Sequence, residues 1–158
     1  MQTKTRDIKA FITLYALCLG VQFLGNHFTM LGMGDWYGSL NKSPLTPPGY
    51  WFGIVWTVLY LMMAVAAWKV WHQLGMWNSR PLRWWMLQLF SGLLWCIIFF
   101  GHRDIPGGLA MIAAELVIFA ATLHHFYRVN KEAGWLLVPQ LVWLVFATYL
   151  NYYLFMHN

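Results

Sequence analysis

Charge is what this sequence most lacks. Five Asp and Glu with ten Lys and Arg make up 9 % of 158 residues, against about 25 % in a soluble domain. So little charge, beside 60 % apolar residues, excludes a water-facing globule. Cysteine is nearly absent too. Cys18 and Cys96 both lie inside apolar runs, which speaks against a disulfide framework and a zinc site alike. The histidines offer no helical metal pair, because His124 and His125 are adjacent rather than four apart. Internal repeats, low-complexity tracts and any pairing of nucleophile with base are also missing. The net charge of +5 does not imply nucleic acid, since the basic residues are split among short segments between apolar runs.

What the chain does have is long hydrophobic runs and rings. Five segments, roughly 8–28, 48–71, 82–101, 105–127 and 133–156, reach the 20 or so residues that span a bilayer. Aromatics at 19 %, with eleven Trp, suit the belts at membrane interfaces. The expectation is an all-α integral membrane protein, a five-transmembrane-helix bundle forming a single domain over 1–158. Lys4, Arg6 and Lys9 before the first run resemble a signal peptide, but no small-residue cleavage site follows. The run therefore reads as an uncleaved first helix.

Five spans put the termini on opposite sides. Eight basic residues (Lys4, Arg6, Lys9, Lys69, Arg80, Arg83, Arg128, Lys131) fall on the amino-terminal side, and only Lys42 and Arg103 on the other. The positive-inside rule then predicts a cytoplasmic N-terminus, with the first loop and the C-terminus outside. Small residues such as Gly20, Gly25, Ser91, Gly92, Ala110 and Ala114 suit close helix approach, within the bundle or at a homodimer seam.

The first connection is the one long one, and it runs into the stretch LNKSPLTPPGYWFGIVWTVLY over residues 40–60. Pro47 and Pro48 cannot sit in a helix interior but are tolerated at its first turn, so they predict a helix start. Phe52, Trp56 and Tyr60 follow four apart, on one face. Trp95 and Phe99 form a similar pair on the third span, with Gln88 two turns earlier. On the fifth, Pro139 predicts a kink or a loosened ladder, and Trp143, Ala147 and Asn151 share a face. Rings beside small gaps and a few polar groups describe an apolar ligand pocket; ordinary aromatic packing gives the same pattern. Glu115, in the middle of the fourth span, must face the bundle interior, be protonated or have a partner.

Leu40, Lys42, Pro47, Pro48, Trp56 and Tyr60, with Gln88, Trp95, Phe99 and Phe100, and with Pro139, Trp143, Ala147 and Asn151, resemble the TspO/MBR family. That is the family of tryptophan-rich sensory proteins and translocator proteins, the peripheral benzodiazepine receptors. The resemblance covers nearly the whole chain. It implies a five-helix bundle that binds porphyrins, benzodiazepine-type drugs and sterols beneath the first loop. The implied contacts are Tyr37, Pro47, Trp56, Trp143, Ala147 and Asn151, beside the pattern-derived Phe52, Tyr60, Gln88 and Trp95. Some members are reported to degrade protoporphyrin in light, which would make Trp56 and Trp143 catalytic. Ser43 and Leu45 stand where the family has proline and tryptophan, Gly92 where it has a pocket asparagine, and Gln140 where it has tyrosine. No Lys or Arg follows Tyr152, where the sequence runs LFMHN, so the sterol motif of the animal members is incomplete.

The expected function is a membrane receptor or sensor for tetrapyrroles such as protoporphyrin IX. A light-dependent porphyrin-degrading enzyme is the alternative, and a porphyrin or sterol transporter the third. Porphyrin is then a ligand, with no cofactor or metal required. Expected partners are the lipid bilayer, in a bacterial membrane, and a second copy of the chain as a homodimer.

Overall fold

A computed structural model describes residues 2–158, with side chains from Thr5 onward; the side chain of Lys4, counted above, lies outside that range. All regular secondary structure among the described residues is helical: α1 (Gln2–Gly32), α2 (Asp35–Ser39), α3 (Gly49–Leu74), α4 (Arg80–Cys96) continuing as a π turn (Ile97–Gly101), α5 (Ile105–Val129) and α6 (Lys131–His157). Five of these are long and apolar enough to cross a membrane. The protein is an integral membrane five-helix bundle, as its apolar runs predict.

Three details differ from the sequence expectation. The first connection holds a short helix, α2, where the sequence suggested loop alone. Asp35 in its first turn suits the positive end of the helix dipole. Pro48 caps α3 in an extended conformation rather than starting it, so the helix begins one residue later, at Gly49. Ala110 and Ala114, expected at helix contacts within the bundle or at a homodimer seam, are exposed on α5, as Gly20 is on α1, so they make no contact within the bundle. Pro139 sits inside α6, which runs unbroken through it.

The long helices close a ring. α1 packs on α3, α3 on α6, α6 on α5, α5 on α4 and α4 on α1. On the amino-terminal side the ring is filled. Ala64, Ala66 and Ala67 of α3 leave room for Trp85 of α4 and for Phe119 and Phe126 of α5, all completely buried. That end is tied by Lys69–Glu132 at 2.7 Å and His72–Asp7 at 3.2 Å. Asp7 also accepts the Trp68 indole N–H on its backbone oxygen. At the opposite end the first loop is clamped to the C-terminus. The Asn41 backbone N–H donates to Asn158 Oδ1 at 2.8 Å, and its side-chain amide donates to the His157 carbonyl at 3.1 Å. Between the filled half and that clamp the ring is hollow.

Candidate ligand-binding cavity

The hollow is a cavity of about 260 Å³, walled by α1, α3, α4, α5 and α6, with Tyr37 of α2 at its edge. Helix direction gives its depth. Gln22, Tyr60, Gly92, Glu115 and Trp143 are the lining residues furthest toward the filled half on their respective helices, while Tyr37, Asn151 and Leu154 lie toward the loop.

Of the ten residues singled out from the sequence, Tyr37, Phe52, Trp56, Tyr60, Trp95, Trp143, Ala147 and Asn151 line this space. They meet because spacings of four keep each group on one face of its helix. Pro47 and Gln88 are not among the lining residues. Pro47 stays in the loop, and Gly49 takes the wall position there. Gln88 is buried a little below the cavity, 2 % exposed, where its backbone carbonyl accepts from Ser91 Oγ at 2.8 Å.

The walls are aromatic. The Phe52 ring meets Trp143 edge-on at 5.7 Å, Trp56 lies against Tyr60 at 5.6 Å, and Trp95 stacks on Phe99 at 5.0 Å. Phe99 and Phe100 reach the wall from the π turn, where the His102 N–H bonds back to the Ile97 carbonyl at 2.9 Å. Such turns occur as single insertions in helices, often at functional sites. Here the turn is accommodated by glycine: a Cβ on Gly32 would stand 2.6 Å from the Phe100 carbonyl oxygen, and one on Gly108 the same distance from the Phe99 ring. Trp36 and Tyr37 pack edge-on and tilted over this pair and close the loop end.

Few polar side chains line this space, and two of its residues hold buried, unpaired nitrogens. Trp95 Nε1 donates to Asn151 Oδ1 at 3.0 Å, which leaves Asn151 Nδ2 without a partner. The Trp143 indole N–H is likewise unpaired. Gln22 donates to Thr57 Oγ1 at 2.9 Å across the α1–α3 seam. The lid is held by Lys42, whose Nζ donates to the carbonyls of Tyr37, Gly38 and Leu40 at 2.8, 3.0 and 3.2 Å. A cation at the C-terminus of α2 satisfies carbonyls the helix leaves open and opposes its dipole. Burial raises the Tyr37 phenol above its ordinary value of 10.0, so it stays neutral.

Sequence reasoning missed the α1 wall. Gln22, Asn26 and Thr29 recur at helical spacing on one face and all line the cavity. That polar stripe in an apolar span was a usable signal. Glu115, expected to face the bundle interior, be protonated or have a partner, faces inward and lines the cavity.

The sequence profile of the TspO/MBR family matches residues 14–156, a range that includes every residue of the cavity wall. The chain belongs to the TspO/MBR family. Among curated TspO/MBR relatives it is similar to the tryptophan-rich protein TspO of Archaeoglobus fulgidus, at 35 % identity over 141 residues, 89 % of this chain and 91 % of the relative. The tryptophan-rich sensory protein of Cereibacter sphaeroides is 34 % identical over 146 residues, 92 % and 89 % of the two chains. The human translocator protein is 34 % identical over 139 residues, 86 % and 82 %. The TspO/MBR relatives thus carry both sensory and translocator names.

Proposed function

We propose that this protein is a membrane receptor or sensor that binds flat, largely apolar ligands of the tetrapyrrole class in the cavity. The observation that carries this reading is the set of rings, Phe52, Trp56, Tyr60, Trp95 and Trp143, that wall one enclosed space. Ring faces stack on a planar π system, and a few polar side chains in the wall suit its substituents. Burying such a ring contributes roughly 25 cal/mol per Å² of apolar surface. The cavity volume of about 260 Å³ lies just below the usual range of about 300–1,000 Å³ for ligand pockets. A tetrapyrrole therefore requires the α2 lid and its Lys42 tether to move outward. Titrating purified protein with protoporphyrin IX in darkness should quench tryptophan fluorescence saturably. Quenching that grows only linearly with porphyrin, as for free tryptophan, counts against the reading.

The two tryptophans in the cavity wall favour a second reading, light-driven oxidation of the bound ring by dioxygen, with Trp56 or Trp143 relaying the electron. Under illumination this enzyme would form products faster than free porphyrin does. Trp→Phe at either position would then abolish turnover while binding survives.

The proposal includes an orientation and an assembly. The N-terminus lies in the cytoplasm and the first loop outside, and the exposed Ala110 and Ala114 of α5 offer a homodimer seam. Ser43 and Ser79 are buried, so the labelling test uses exposed neighbours. A cysteine at Leu45, which is 63 % exposed, should react with an impermeant thiol reagent in intact cells, and one at the exposed Asn78 should not. The reverse pattern overturns the orientation.

A further inference from the structure

Glu115 is the one acidic residue in the cavity wall, at its deep end and 3 % exposed. The space its carboxyl occupies exists because the facing residue on α4 is glycine: a Cβ on Gly92 would stand 3.1 Å from Glu115 Oε1. Among the described residues no hydrogen bond or ion pair reaches that carboxyl. The wall contains no Lys, Arg or His. The basic side chains sit at the ends of the bundle, where Lys69 is paired with Glu132 and Lys42 with carbonyls. An ionised acid at this depth is costly without a partner, and the chain supplies none.

The groups at the same depth describe that partner. Tyr60 and Trp143 line the deep end, with Trp56 one turn above on α3. Aromatic faces around a carboxyl are the chemistry that recognises an organic cation, through the ring quadrupole and a charge-assisted hydrogen bond. We propose that the cavity takes amphiphilic amines: flat apolar molecules carrying one protonated nitrogen, which donates to Glu115. The proposal rests on the reading of this cavity as a ligand site, and it names a ligand class distinct from tetrapyrroles. An ammonium supplies the charge that the buried acid lacks, so pair and ring are desolvated together.

The test compares two probes of one shape, a naphthylmethyl ammonium salt and the neutral naphthylmethyl alcohol. Each is titrated calorimetrically into the protein in lipid nanodiscs, with empty nanodiscs subtracted. The amine should bind about tenfold tighter than the alcohol, the scale of one charged hydrogen bond. In Glu115→Gln the two affinities should converge. In Gly92→Asn, an amide facing Glu115 can satisfy the carboxyl within the chain, so the preference should fall although the acid remains. Circular dichroism establishes that each variant is folded. Equal binding of the two probes to the parent protein overturns the proposal, as does an amine preference that survives Glu115→Gln. Protoporphyrin titration of the same samples separates the readings. An amine preference without porphyrin quenching removes only the tetrapyrrole reading, and quenching without an amine preference removes only this one.

Discussion

The two halves of the bundle are built from the same five helices yet solve opposite problems. On the amino-terminal side large rings meet small residues: Trp85, Phe119 and Phe126 fill the room left by Ala64, Ala66 and Ala67, and all are fully buried. On the loop side large rings face one another across a space, and the small residues widen it instead. Gly53 has no atom within 4 Å of a built Cβ, and Gly25 has only Cys96 Sγ at 3.4 Å. In a bilayer, packing rather than water exclusion holds helices together. The filled half therefore supplies the stability, and the hollow half is free to carry a cavity.

The sharpest test of that division is Phe119→Ala. Removing a ring with 0 % exposure from the filled half should destabilise the fold by about 3–5 kcal/mol, read as a drop in midpoint when unfolding is followed in mixed micelles. Trp56→Ala in the hollow half should leave that midpoint much closer to the parent value. A Trp56 variant as unstable as the Phe119 variant would erase the distinction between the halves.

The next effect is on binding. Trp143→Ala and Trp56→Ala each remove a cavity wall and should weaken protoporphyrin affinity by tenfold or more. Trp→Phe keeps a ring face and should cost about 1 kcal/mol. Fluorescence quenching reads both. If both alanine variants bind as the parent does, the cavity is not the porphyrin site.

How much of this was legible in the sequence also divides along the chain. The spans were readable because each is a run of bilayer length, and the basic residues mark one end of all of them. Phe52, Trp56 and Tyr60, like Trp143, Ala147 and Asn151, were placed on common walls by their spacing of four alone. Gln88 shares a helical face with Trp95 but lies beyond the point where the cavity closes, and periodicity does not set that depth. The π turn depends on Gly32 and Gly108 of other helices approaching Phe100 and Phe99, a contact between segments far apart in sequence. Glu115 needed its helix's rotation, which the apolar pattern of a lipid-facing helix leaves unspecified. The short α2 depends on Lys42 folding back on its last carbonyls, and one lysine in a loop does not announce that.

Lys42 gives the smallest and most local of the expected effects. Its three hydrogen bonds close the C-terminus of α2 and hold Tyr37 and Trp36 over Phe99 and Phe100. Lys42→Met keeps the length of the stem but removes the donor, at a cost of roughly 0.5–1 kcal/mol for a helix-end cation. That is too little to unfold a bundle whose stability comes from the other half, so the unfolding midpoint should barely move. The lid should instead open more often and hydrate Tyr37. Burial holds the Tyr37 phenol above 10.0 in the closed state, so the closed state binds its proton more tightly than the open one. Closure is therefore fully favoured below about pH 10 and weakens as pH rises beyond it. In Lys42→Met porphyrin should associate faster, because lid opening precedes binding. An unchanged association rate would mean that α2 does not gate the cavity, and that the hollow half is reached by another route.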